Sequence, residues 1–174
     1  PALVSGEIDT DATVRLAGNI LDAGAIPFIL GTTGEGVSVP DDQADHLVTE
    51  VMDYVQGKSP VYIGISGINL ETTIQAAKRF ADRGTSVGVV HPPYYYPLTE
   101  IQLLNYFTAV ADASPIPVML YNIPPTTKIS ISLESVETLS QHSNIVGLKD
   151  SERDEDRLQE ACDRWKDRED FSLF

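Results

Sequence analysis

A single cysteine, Cys162, stands alone in this chain, so no internal disulfide can form and no thiolate pair is spaced for a metal. That usage predicts a reducing compartment, the cytoplasm. Basic residues are scarce as well: 12 Lys and Arg face 26 Asp and Glu, for a formal net charge of -14. A phosphate backbone demands clustered cations, and no stretch here is basic, which excludes nucleic acid as an expected partner. The acidic excess reads as a solvated surface of the kind that stays hydrated in concentrated salt, a halophile-like bias. Long apolar runs are missing, as is an initial charged segment followed by an apolar one, so neither a membrane span nor a leader is expected. The three histidines, His46, His91 and His142, have neither triad nor metal spacing. His91 closes an apolar run, where it either tunes a pocket or caps a strand.

What the chain does contain is a regular alternation. Short β-rich apolar runs begin at residues 26, 60, 86, 117, 145 and 171. Their intervals are one strand, one helix and two short loops long. Between them lie helical stripes such as Ala44, Leu47, Val48, Val51, Met52 and Val55, ended by Gly57, and Ile74, Ala77, Phe80 and Ala81, ended by Gly84. "TEIQ" at 99–102 is a capping box that starts a helix just after "YYYP". Near-continuous apolar strands separated by helices predict a parallel sheet covered on both faces, either doubly wound or closed into a barrel. Uniform spacing without a glycine-rich nucleotide turn favours the barrel. "PALV" at 1–4 is a candidate first strand and 9–24 its helix, giving at most seven strands in one domain spanning 1–174.

In either architecture chemistry gathers at the C-terminal ends of the strands. "GTTGEG" at 31–36 offers glycines able to take positive φ, threonine hydroxyls and free N–H groups, which suits a tight turn or a carboxylate-holding loop equally. At 117–122, alternation puts Tyr121 on one face with Pro117 and Met119, as a structural phenol or one that meets a ligand. At 145–150, alternation puts Ile145, Gly147 and Lys149 on one face, with Gly147 leaving room beside the lysine stem. Lysine occurs only five times in the chain. One withdrawn from water loses its proton more readily, and a neutral amine attacks a ketone to form an imine. The alternative is a lysine that snorkels to solvent or pairs with Asp150.

Taken together, "GTTGEG", "PPYYYP", "YNIPPTT" and "IVGLKDS", in this order and spacing, resemble the dihydrodipicolinate synthase / N-acetylneuraminate lyase family, pyruvate-dependent class I aldolases on a (β/α)8 TIM barrel. The resemblance implies Lys149 as the Schiff-base lysine, Tyr121 as the proton-passing phenol, Thr32 as its hydroxyl partner, and Thr33 with the N–H groups of Gly31 and Gly34 as the pyruvate carboxylate site. Tyr94, or its neighbour Tyr95, would complete a relay across a dimer interface. No metal and no separate cofactor are implied, since the imine itself is the electron sink. The implied partners are a small 2-keto acid, an aldehyde, and further copies of the chain in a dimer or tetramer.

Family synthases place an arginine where this chain has Thr126, and a threonine offers no bidentate fork to a second carboxylate. That substitution, and "GLKDS", favour a 2-keto-3-deoxy sugar acid aldolase of the 2-keto-3-deoxygluconate type over a 4-hydroxy-tetrahydrodipicolinate synthase, which joins pyruvate to aspartate semialdehyde. By the same resemblance, residues are missing after "PALV" and the C-terminal part of the barrel is absent, so an incomplete barrel of about seven of eight strands is expected. Such a chain could instead be an inactive partial barrel that serves as a binding or interaction module.

Overall fold

The computed structural model describes residues 1–5 and 7–174. A two-stranded antiparallel hairpin comes first, β1 (Leu3–Val4) with β2 (Glu7–Ile8), followed by α1 (Thr10–Asp22). Six parallel strands then alternate with helices: β3 (Phe28–Ile29), α2 (Asp41–Val55), β4 (Tyr62–Gly64), α3 (Leu70–Ala81), β5 (Val87–Val90), α4 (Glu100–Ala113), β6 (Val118–Asn122), α5 (Pro124–Thr127), α6 (Leu133–Leu139), β7 (Ile145–Asp150), α7 (Glu155–Trp165) and β8 (Ser172–Leu173). All six apolar runs are strands. "PALV" is not a seventh: its Leu3–Val4 pairs antiparallel with Glu7–Ile8, outside the main sheet.

The sheet order, β3-β4-β5-β6-β7-β8, settles which of the two architectures is present. A doubly wound sheet reverses direction at a switch point, whereas here every new strand lies beside the one before it, as in a barrel. The sheet also curls. Tyr62 on β4 meets Phe174, just beyond β8, at a ring-centroid distance of 6.0 Å, although three strands separate them in the sheet. Phe28 on β3 meets Tyr121 on β6 edge-on at 6.5 Å across the concave face.

Strand alternation divides the apolar side chains between two cores. Val118 and Leu120 point to the helix-covered side, into a large cluster with Phe80 and Phe107. Met119 and Tyr121 point to the concave side, with Val87, Val89 and Ile123. On β7 the alternation is broken. A register shift opposite Val118 and Met119 pairs Val118 with Ile145 but Met119 with Gly147. Ile145 therefore joins the helix side, and does not share a face with Gly147 and Lys149 as strict period-two reading predicts.

The helix signals hold where they rest on caps. Thr99 Oγ1 accepts from the Gln102 N–H at 3.4 Å, and Gln102 Oε1 accepts from the Thr99 N–H at 2.9 Å. Both halves of the capping box are formed, and α4 starts at Glu100. Removing the Thr99 hydroxyl as Thr99→Ala is expected to cost about 1 kcal/mol, read as a lowered urea midpoint at unchanged m-value. Gln56 takes the left-handed conformation that ends α2, and Gly57 follows it at φ 72°.

Candidate active site

At the C-terminal ends of the strands lies a cavity of about 270 Å³ on the concave side. Phe28, Leu30, Gly31 and Thr32 form its β3 wall, Gly64 and Ser66 its β4 wall, and Val89, His91 and Tyr94 its β5 wall. Tyr121 and Thr126 close it from β6 and α5. Five of the residues expected at the site thus line one cavity: Gly31, Thr32, Tyr94, Tyr121 and Thr126.

Tyr121 is the centre of the arrangement. It is buried, and its hydroxyl accepts from Thr32 Oγ1 at 3.5 Å, across 89 residues of sequence. Lys149 Nζ lies 4.0 Å from the centroid of the Tyr121 ring, over its face, because β6 and β7 pair Tyr121 directly with Lys149. An aromatic face attracts an ammonium group, so the contact holds the amine against the phenol. Burial acts on the Tyr121 phenol most strongly and raises its pKa. Hydrogen bonding to Thr32, Ser151 and Lys149, together with the lysine's charge, outweighs it, and the net shift is below the ordinary value of 10.0.

Lys149 is half-buried and does not pair with Asp150. It donates to Ser151 Oγ at 3.0 Å, while Asp150 is taken by Arg157 Nε at 2.8 Å. Ser151 ends the "IVGLKDS" motif, which implies no role for it. Its contact depends on how the chain turns after β7, which no periodicity encodes.

The "GTTGEG" loop departs from its expected chemistry. None of its glycines has a positive φ; Leu30 and Glu35 adopt the left-handed conformation instead, at 54° and 51°. Two of the glycines, Gly31 and Gly36, serve close packing. A Cβ on Gly31 would lie 2.8 Å from the Phe28 ring, and one on Gly36 would collide with the Leu30 carbonyl. Thr33 is exposed, and neither it nor Gly34 lines the cavity. Gly147 also differs from expectation: a Cβ there would sit 2.5 Å from the Ser172 carbonyl oxygen and 3.0 Å from the Met119 methyl. Its small size admits β8 and Met119, not the lysine stem.

The three consecutive tyrosines separate. Tyr94 faces its own chain's cavity, with its ring 5.9 Å from His91, whereas Tyr95 and Tyr96 stand in solvent, stacked edge-on at 4.8 Å. Lys128, two positions after Thr126, donates to the Pro125 carbonyl at 2.7 Å and is absent from the cavity lining. It does not replace the arginine that Thr126 lacks.

Residues 1–174 match the model of the dihydrodipicolinate synthetase family. The chain belongs to that family. Among curated relatives, it is 36% identical over 169 residues to a 4-hydroxy-tetrahydrodipicolinate synthase of Staphylococcus saprophyticus, covering 97% of this chain and 57% of that protein. It is 34% identical over 155 residues to one from an Exiguobacterium strain, covering 88% and 53%. Among solved structures, dihydrodipicolinate synthase DapA-2 from Bacillus anthracis superposes with a TM-score of 0.91 at 30% identity, over 100% of this chain and 59% of that one. YagE, a prophage protein of the same family from E. coli K12 in complex with pyruvate, gives 0.91 at 30%, over 99% and 59%. The chain spans about half the length of the curated relatives it matches. Within the family, its six sequential parallel strands correspond to part of a TIM barrel. Among the described residues no helix is long and apolar enough to cross a membrane.

Proposed function

We propose that this chain carries the amine and the phenol of a Schiff-base-forming carbon–carbon lyase acting on pyruvate and related 2-keto acids. The observation that carries the reading is Lys149 Nζ, 4.0 Å from the Tyr121 ring centroid, with the Tyr121 hydroxyl bonded to Thr32 at the wall of a cavity. YagE, similar at 30% identity, binds pyruvate.

The unprotonated Lys149 amine attacks the keto carbon, water leaves, and the resulting iminium draws electrons from the bond between its neighbouring carbon and the hydroxyl-bearing carbon beyond it. Cleavage releases an aldehyde and leaves an enamine, which is protonated and hydrolysed to free pyruvate. Tyr121 takes the proton from the substrate hydroxyl that becomes the aldehyde oxygen, and a phenol with a lowered pKa is better suited to that step. Thr32 orients the phenol. Thr33, exposed within the loop and outside the cavity lining, would have to turn its hydroxyl inward to meet the pyruvate carboxylate, with the N–H groups of Gly31 and Gly34. Tyr95, which stands clear of its own cavity, is better placed than Tyr94 to reach a second copy of the chain, in a dimer or tetramer.

For the second substrate we favour a hydroxylated aldehyde, so that the cleaved compound is a 2-keto-3-deoxy sugar acid. Thr126 lines the cavity where a carboxylate-gripping arginine would be needed, and Lys128 is bonded elsewhere. The names of the curated relatives favour the second reading, condensation of pyruvate with aspartate semialdehyde.

Incubating the folded protein with pyruvate and borohydride is expected to fix a covalent adduct on Lys149, located by peptide mass spectrometry. An unmodified Lys149 in folded protein would favour a binding module over an enzyme. Turnover of 2-keto-3-deoxygluconate against aspartate semialdehyde then decides between the two aldehydes.

A further inference from the structure

His91 stands in the cavity wall and has no part in the chemistry above. Its side chain is buried, and its ring lies 6.4 Å from Tyr121 and 5.9 Å from Tyr94. Two bonds fix it. Its backbone N–H donates to Ser66 Oγ at 2.8 Å, and ring Nδ1 lies 2.8 Å from the Pro92 carbonyl oxygen. A carbonyl only accepts, so Nδ1 carries a hydrogen. Burial pushes the imidazole pKa down, more than the bond to Pro92 raises it, so the ring is neutral at pH 7. With its one hydrogen on Nδ1, the ring has a bare lone pair at Nε2.

That atom is unusual within the site. Nε2 has no hydrogen-bond partner among the described residues, and it is not among their sealed, unpartnered atoms. A fixed, neutral nitrogen that can only accept selects a ligand group that donates, and it repels an oxygen that is itself only an acceptor. Hydroxyls donate; carboxylates do not.

We infer that His91 Nε2 is the acceptor for a hydroxyl group of the aldehyde partner, a binding contact that selects hydroxylated aldehydes over carboxylate-bearing ones. The inference rests on the aldolase reading for the identity of the ligand, and it deepens that reading by naming the residue that discriminates. Two features of the same cavity agree with it. Thr126 brings no charge to neutralise a second carboxylate, and Ser66, which holds the His91 backbone, also lines the wall.

The test is long-range proton–nitrogen NMR on protein labelled in histidine, with His91 assigned by the signal missing from His91→Phe. D-glyceraldehyde and propanal, which lacks both hydroxyls, are the probes. The expected result is an unprotonated Nε2 whose resonance moves upfield with glyceraldehyde and stays in place with propanal. A protonated Nε2, or equal responses to the two probes, overturns the inference. In turnover, His91→Phe is expected to reduce the preference for glyceraldehyde over propanal about tenfold, the worth of one neutral hydrogen bond. An unchanged preference also overturns it. Borohydride trapping at Lys149 is scored separately: loss of the adduct in wild-type protein removes the aldolase reading, whereas the NMR response reports on His91 without any turnover.

Discussion

Tyr121→Phe is expected to lower turnover of a 2-keto-3-deoxy sugar acid by about 10²–10⁴-fold, the range for loss of a positioned proton-transfer group. Phenylalanine keeps the ring. The ring keeps its edge-on contact with Phe28 and its face toward Lys149, so packing on the concave side is retained. Only the hydroxyl is removed, and with it the interactions with Thr32, Ser151 and Lys149. Pyruvate should therefore still be trapped on Lys149 by borohydride in this variant, because imine formation needs the amine, while cleavage of the substrate fails for want of a base. A Tyr121→Phe protein with turnover within threefold of wild type would mean that the proton moves elsewhere. Ultraviolet difference titration gives an independent check. Wild type minus variant should show one phenol ionising below 10, since hydrogen bonding and the Lys149 charge outweigh the effect of burial.

How far the site was legible in the sequence differs residue by residue, and the differences have physical causes. Tyr121 and Met119 follow strict alternation because β6 is regular, so the side facing the cavity could be read directly. Ile145 could not be read, since the register shift on β7 is set by pairing with β6, a partner 27 residues away in sequence, and not by the local pattern. Lys149 still pairs directly with Tyr121, because the irregularity lies before it and pairing resumes at Gly147, although Lys149 itself is not among the residues lining the cavity. Glycine in "GTTGEG" suggests backbone freedom, but the left-handed positions fall to Leu30 and Glu35, and Gly31 and Gly36 are sites of close approach. The strand count differs at "PALV" for a similar reason: Leu3–Val4 pair with the nearest strand, Glu7–Ile8, and so lie outside the main sheet. Terminal signals that act within a few residues, such as the capping box at Thr99, carried over intact.

Least visible of all was the polar network beneath the site, and its disruption should have the largest effect on stability. Asn122 and Asp150 are paired across β6 and β7, one residue beyond Tyr121 and Lys149. Asn122, fully buried, donates to Asp150 Oδ1 at 2.8 Å and to Glu152 Oε2 at 2.9 Å, and accepts from the Ile131 N–H at 3.0 Å. Arg157 on α7 is the cation of the cluster. Its Nε donates to Asp150 Oδ2 at 2.8 Å and a terminal nitrogen donates to the Ile131 carbonyl at 2.8 Å, with side chains of Arg157 and Asp150 only 13% and 14% exposed. Replacing Arg157 by methionine keeps the stem and removes the charge, leaving the Asp150 and Glu152 carboxylates together without a counter-ion. Breaking a buried pair from one side costs about 3–5 kcal/mol, because the remaining charge is desolvated and uncompensated. Arg157→Met is accordingly expected to lose about 3 kcal/mol in urea unfolding, and to loosen the pairing that sets Lys149 against Tyr121. Adding Asp150→Asn should recover at least about 1 kcal/mol, since the second change removes one of the two stranded charges and its repulsion of the Glu152 carboxylate. A single variant within 1 kcal/mol of wild type, or a double variant no better than the single, would show that solvent already reaches this cluster and that the strand ends are held by their backbone alone.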